Sequence, residues 1–315
     1  MSKLIVGFGE ALVDVLPSGE VVGGAPLNFS VRAAQLAKPL GWTAALISRI
    51  GSDARGEKIS QHLQQTHLDT SAIQVDLQQP TGFVDVQLDR GHPSYVIGQQ
   101  VAWDHIAADA TALKCSRNAS AFCFGTLAQR GAETTNTLFQ CLDAAELAVK
   151  IFDINLRKPY PAIEIIAKSL QRADVLKCNA EELLLLADWL QLSQASGSSG
   201  PGDETAAGLT ARAQNIATML QLEFKLACVF WTQGAQGCVL QRGPRSMTAA
   251  VPQLPQAPDA DSVGAGDAAS AALAIGLVAG WDDAKIASVA NYCGAFAASQ
   301  RGATTPFPSD FLEQL

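Results

Sequence analysis

No two of the 7 cysteines are spaced as a CxxC pair, and their number is odd. Most sit in apolar stretches such as "AFCF" around Cys123 and "LACVFW" around Cys228. That usage argues against a zinc site or a disulfide framework and points to buried free thiols in a reducing compartment. Lys and Arg are scattered without a run, and a formal net charge of −8 would repel nucleic acid and anionic membranes. No apolar run is long enough to cross a bilayer, and "MSKLIVGFGE" reaches an acidic residue too soon for a secretory leader, so a cytoplasmic protein is expected. There is no internal repeat. A GxxxxGK[ST] loop is also missing, and both "GFGEAL" at Gly7 and "GAGDAA" at Gly264 lack the third glycine of a dinucleotide fingerprint. These absences disfavour Walker-type nucleotide hydrolases and nicotinamide-dependent oxidoreductases. The four His residues show no metal spacing and no pairing with a nucleophile, and read as solvated.

What is present is a chain of 315 residues with 48% hydrophobic and 17% charged residues, the balance of a globular protein with a substantial core, built as one large α/β domain or two smaller ones. Short apolar runs at 4–8, 43–50, 119–124, 149–154, 173–178 and 226–232 alternate with amphipathic stretches at 55–67, 131–146, 161–172, 179–191 and 207–221, and with small-residue helices near 265–279 and 282–299. Near-continuously apolar strands alternating with helices predict a central, mostly parallel sheet covered by helices on both faces. Two segments depart from that pattern. "ALVDVL" at 11–16 and "TGFVDVQL" at 81–88 alternate apolar and polar residues, and "PSYVIG" at 93–98 can pair with the second. They predict a small β-sheet lid built from about 11–28 and 81–98. The stretch 193–206 is Gly-, Ser- and Pro-rich and reads as a surface loop.

The stretch most informative about chemistry is "DSVGAGD", Asp261 to Asp267, followed directly by an apolar helix. Glycines at 264 and 266 let successive backbone N–H groups converge, and the start of the helix adds the positive end of its dipole. Such a turn can hold anionic oxygen. Composition alone leaves open an ordinary turn with Asp267 as a helix cap.

"DSVGAGD" resembles the C-terminal signature of the ribokinase-like (PfkB) carbohydrate kinases, and "GGAPLNFS" at 23–30 resembles their N-terminal one. "FDINLR" at 152–157 is similar to the DxNxR segment of the fructokinase and 2-keto-3-deoxygluconate kinase branch. "CNAEEL" at 178–183 is similar to the NxxE motif. "TQGAQG" at 232–237 matches the nucleotide-side turn, and "NYCGAFAASQRGA" at 291–303 the adenine-side helix and loop. Six motifs in the family's order imply its fold, with the parallel sheet and β lid forming a single domain, and its activity as an ATP-dependent sugar kinase.

By that resemblance Asp267 is the base that takes the hydroxyl proton, and the amides of Gly264, Ala265 and Gly266 form the anion hole. Asp14, Gly24 and Asn28 match the hydroxyl-binding positions. Arg157 reaches the substrate or the phosphates, unless it is a surface residue paired with a nearby acid. Asn179 and Glu182 organise Mg²⁺, largely through water, together with the phosphates; read alone they are an N-cap and its capping acid. Thr232, Gly234 and Gly237 line the ATP site and Asn291 lies near adenine, though Gly237 also suits a plain hairpin. Asp261 matches the residue that helps hold a monovalent cation, K⁺, in many members. Gln129 and Arg130 are weaker pocket candidates.

The implied substrates are ATP and a sugar, fructose first, then 2-keto-3-deoxygluconate or another sugar. A catalytically silent sugar- or nucleotide-binding regulator of the same fold is the alternative of a different class. Exposed lid strands leave room for a homodimer.

Overall fold

Strands buried on both faces have no solvent side on which to alternate, and the apolar runs of this chain pair with one another in parallel. The computed structural model describes residues 2–89, 92–158, 162–192 and 206–315. Its strands are β1 (Leu4–Phe8), β2 (Leu12–Leu16), β3 (Gly19–Gly23), β4 (Thr43–Gly51), β5 (Ile73–Asp76), β6 (Gly82–Asp89), β7 (His92–Ile97), β8 (Ala121–Phe124), β9 (Val149–Asp153), β10 (Val175–Asn179), β11 (Cys228–Thr232), β12 (Cys238–Arg242) and β13 (Arg245–Thr248). The helices are α1 (Ala25–Ala37), α2 (Ala54–Gln64), α3 (Ala110–Asn118), α4 (Ala132–Ala144), α5 (Ile163–Leu170), α6 (Ala180–Trp189), α7 (Ala206–Phe224), α8 (Ala265–Ala279), α9 (Asp283–Ala298) and α10 (Ser309–Leu312).

One sheet runs β13-β12-β11-β10-β9-β8-β1-β4-β5, parallel from β11 to β5 and closed at the other edge by antiparallel β12 and β13. Alternate residues of each strand feed two cores. Ile5, Val175 and Phe230 face one that includes residues of α1, α8 and α9. Val6, Leu176 and Trp231 face the other, which includes residues of α4, α6 and α7. The mostly parallel α/β sheet covered on both faces is therefore as expected. All seven cysteines are free, six of them buried, and no described helix is long and apolar enough to cross a membrane.

A second sheet has the order β3-β2-β6-β7. Each hairpin, β2–β3 and β6–β7, is antiparallel, and β2 joins β6 in parallel with Leu12 opposite Gly82. The expected segment 11–28 runs past this sheet. Its strands end at Gly23, and Ala25 to Asn28 are already the first turn of α1, where Pro26 tolerates the missing amide partner. Residues 193–205 of the expected loop lie outside the described residues, and Ala206 opens α7.

Candidate active site

Parallel strands end along one edge, and the crevice outside their carboxyl ends is where open α/β sheets hold ligands. Here β1, β9 and β10 end at or just before charged or polar residues, Glu10, Asp153 and Asn179, and α8 starts above them. Gly264 caps α8 at φ +77°, and a Cβ there would stand 2.6 Å from Ala303 Cβ and 2.9 Å from its Cα, so only glycine fits. Intrahelical bonding begins with Ala268 N–H to Gly264 O at 2.9 Å; the amide of Ala265 makes a longer bond to Ser262 O at 3.3 Å. The Ala265 amide is thus engaged within the turn, while the N–H groups of Gly266 and Asp267 precede the first intrahelical bond, where a helix start can accept an anion.

Asp267, in the first turn, is only 7% exposed. Asn28 Nδ2 donates to its Oδ2 at 2.9 Å, which joins the N-terminal and C-terminal motifs in one contact. Asn28 Oδ1 is buried without a partner, so it is an acceptor suited to a hydroxyl donor. Burial and the neighbouring Asp153 carboxylate push the Asp267 carboxyl up to about 6, against the pull of Lys177, Asn28 and Arg157.

Lys177 and Asp153 escaped the sequence reading as site residues. They are register partners on β10 and β9, with Lys177 Nζ 3.0 Å from Asp153 Oδ1. Ser270 Oγ donates to Asp153 Oδ2 at 2.7 Å. The ammonium also stands 3.0 Å from where a Gly266 Cβ would be, which is why a side chain at 266 would crowd it. Burial opposes the Lys177 charge, yet the Asp153 and Asp267 carboxylates hold its pKa above the ordinary value.

Beside this cluster opens a cleft lined by Glu10, Asn155 and Arg157 over Phe29 and Phe124. Arg157 is exposed and hydrogen-bonds Leu156 O at 3.4 Å; its charge acts on Glu10, Asp14 and Asp267. Asp14, on β2, is raised by burial and restrained by Arg157; Gly23 on β3 leaves room for it, since a Cβ there would be 2.5 Å from Asp14 Oδ2. Gly24 has φ +110°, and its Cβ would be 2.6 Å from Glu10 O, so it lets the chain cross close to Glu10.

Glu10 was also missed. It is 5% exposed, and burial pushes its carboxyl up to about 7 despite hydrogen bonds from its own N–H and that of Ala25 and the charge of Arg157. Because the folded value lies above the usual 4.5, its contribution to stability is present below pH ~4.5 and lost as pH rises through ~7. Glu10→Gln is therefore expected to raise Tm relative to wild type at pH 8, by a ΔΔG on the order of 2 kcal/mol, and to lose that advantage at pH 4.5. Equal shifts at the two pH values in calorimetry would refute a buried ionised Glu10.

Asn179 and Glu182 form a full capping box at the start of α6: Glu182 N–H donates to Asn179 Oδ1 and Asn179 N–H to Glu182 Oε2, both at 2.8 Å. Glu182 Oε1 accepts from Leu156 N–H at 2.7 Å, so this carboxylate also fixes the turn that carries Arg157. Thr232 sits opposite Asn179 across β10 and β11. Gly234 (φ +57°) and Gly237 (φ +89°) shape the hairpin turn to β12. A Cβ at 237 would be 2.8 Å from Asn291 Nδ2, and that nitrogen donates to Ala249 O at 2.6 Å, so Asn291 is tied to the strand side. Asp261 is exposed; its Oδ1 accepts from Val263 N–H at 3.0 Å and its Oδ2 from Gly302 N–H at 3.4 Å. Gln129 and Arg130 stand behind the cleft lining, Gln129 bonded to Gly125, which lines it. Gln129 bridges Gly125 O and Ser169 Oγ, and Arg130 pairs with Asp104 over the Trp103 ring.

The chain matches the family described as pfkB family carbohydrate kinase over residues 12–310. It is 28% identical to the fructokinase of Klebsiella pneumoniae, covering 98% of this chain and 97% of that one. Among solved structures it resembles a fructokinase with bound ATP from Xylella fastidiosa, at 23% identity and TM-score 0.78 over 98% of this chain and 96% of that one. It also resembles a double-mutant fructokinase of Vibrio cholerae with fructose, ADP and potassium bound, at 21% identity and TM-score 0.73 over 98% of this chain and 97% of that one.

Proposed function

The chain belongs to the pfkB family of carbohydrate kinases, and from that footing we propose that it moves the γ-phosphoryl group of ATP to a hydroxyl of a monosaccharide, with fructose first and 2-keto-3-deoxygluconate or another sugar next. One observation carries the reading: Asp267 stands buried at the Gly264 turn, held by Asn28, whose own carbonyl oxygen lacks a partner. A sugar hydroxyl that donates to Asp267 would sit against the amides at the start of α8. Asp267 takes its proton as the oxygen attacks, and those amides steady the charge on the transferring group. Asp14 and Asn28 orient the remaining hydroxyls, and Arg157 lies at the mouth of the cleft.

Among the described residues no group of three or more His, Cys, Asp or Glu side chains is arranged to hold a metal. Both oxygens of Glu182 already accept backbone N–H groups. That donor set fits Mg²⁺ held through water and phosphate oxygens, with Asn179 and Glu182 accepting from its waters. When bound, Mg²⁺ neutralises phosphate charge. Asp261, bonded to the 302 loop, is the protein carboxylate that would face K⁺.

The deciding experiment is ATP consumption with Mg²⁺ across a panel of sugars. Turnover above background on a monosaccharide supports the reading, and binding of sugar or nucleotide without turnover supports the silent regulator. In this reading the small sheet is the lid. Asp14→Ala and Asn28→Ala should each raise the sugar KM by roughly ten- to a hundredfold, matching about 1–3 kcal/mol for unpaired buried groups. The ATP KM should stay within a few-fold. Asp14→Ala should also lose the protection from amide exchange that sugar brings to Leu12–Leu16. An ATP KM that moves while the sugar KM does not would reverse the two halves of the site.

A further inference from the structure

The Asp153–Lys177–Ser270 network takes no part in the steps above, yet it is buried at the centre of the site, with Asp153 7%, Lys177 6% and Ser270 0% exposed. Ser270 Oγ shares its hydrogen between Asp153 Oδ2 and Gly266 O, at 2.7 and 2.9 Å. The network is thereby anchored to the turn of α8 that presents Asp267. A buried ion pair is weak support for stability, because an apolar pair of like volume often serves the fold as well. Two carboxylates in one dry site resist joint ionisation unless a cation accompanies them. We propose that Asp153 and Lys177 are positioning residues for Asp267: Asp153, locked to α8 by Ser270, fixes the turn that aims the base, and Lys177 offsets the Asp153 charge so that the buried base can still ionise.

Every element around Asp267 contributes a group. Asp153 comes from β9, Lys177 from β10, Arg157 from the segment after β9, Glu10 from the β1–β2 junction, Asn28 and Arg32 from α1, and Cys123 from β8. Arg157 is exposed, so solvent screens it. Arg32 is fully buried, its Nε and Nη1 bonded to the carbonyls of Ala303 and Thr305 and its Nη2 without a partner, so its charge adds to the field at Asp267 from outside the carboxylate cluster. Lys177 is the buried cation bonded within the carboxylate cluster itself.

The proposal rests on Asp267 as the base, and its test separates the two. Carbon NMR of the full chain labelled at aspartate, with Asp267→Asn as the assignment control, follows the carboxyls without any turnover. In Asp153→Asn, Asp267 should titrate lower by about one unit, because Lys177 then acts on it unopposed. In Lys177→Met, Asp267 should titrate higher by about one unit or more, because the Asp153 carboxylate then acts on it with no cation to offset it. The double variant should return Asp267 to within ~0.5 unit of wild type, and it keeps the test open if Lys177→Met fails to fold, since it buries no unpaired charge. The acid limb of kcat should move with the carboxyl, about tenfold in rate per unit. An Asp267 titration unmoved in Asp153→Asn overturns the proposal, as does a double variant displaced as far as either single one. So does a Lys177→Met variant with a raised ATP KM and unshifted titrations, which would make Lys177 a nucleotide contact. Shifted titrations with an unmoved rate limb support the fixed charges and count against Asp267 as the base.

Discussion

Asp267→Asn is expected to cut kcat by about 10²–10⁴-fold, the usual effect of losing a general base, while both substrates bind nearly as before. The geometry explains why the change is sharp and local. Asn28 donates Nδ2 to one oxygen of Asp267, so an amide at 267 keeps that contact only by turning its carbonyl toward Asn28. Its NH₂ group then faces the position of the reacting hydroxyl, a donor where an acceptor is needed. The fold should not suffer, because a buried carboxyl pushed up to about 6 is replaced by a neutral group of the same shape. Calorimetry at pH 8 should give a Tm equal to or above that of wild type. A variant that keeps more than about a tenth of the wild-type kcat would remove Asp267 from the base role.

Gly264→Ala should be nearly as damaging by a different route. At φ +77° an L-residue is strained by roughly 1–2 kcal/mol, and its methyl would overlap Ala303, whose carbonyl is pinned by Arg32 Nε at 2.9 Å. Arg32 is itself held against the Phe307 ring at 4.5 Å. The loop at 303 cannot retreat easily, so the turn must shift and re-aim the amides at the head of α8. Losing one such donor typically lowers kcat about 10²–10³-fold. The sugar KM should change little, because Asp14 and Asn28 lie on other elements. Unchanged kcat with a lowered Tm would mean that the turn is structural only.

The parallel sheet and its helices were legible because doubly buried strands leave long apolar runs with few charges. The strand Gly19–Gly23 was not, since two terminal glycines hide its short alternation, and Ile73–Asp76 is a brief edge strand with Val75 exposed. At the site, "DSVGAGD" was readable because its glycines sit at a helix start. Lys177 carried a signal that went unused: a lysine inside the apolar run "ADVLKC" must be buried, and a buried lysine needs a partner. Asp153 in "KIFDI" is the matching acid one strand away. Glu10 gave a weaker hint, following an apolar strand at the edge where parallel sheets hold ligands. The partners of Gln129 and Arg130, Ser169 and Asp104, are set by tertiary packing that composition does not encode.

The parallel pairing of Leu12 with Gly82 has a consequence for the order in which the molecule assembles. Either hairpin of the small sheet can form alone, but their junction closes a loop that contains α1, β4, α2 and β5. The entropy of that closure is recovered only after those elements have docked on the large sheet. The seam between the two hairpins is therefore expected to form after those elements dock, and to be the part of the small sheet that opens first.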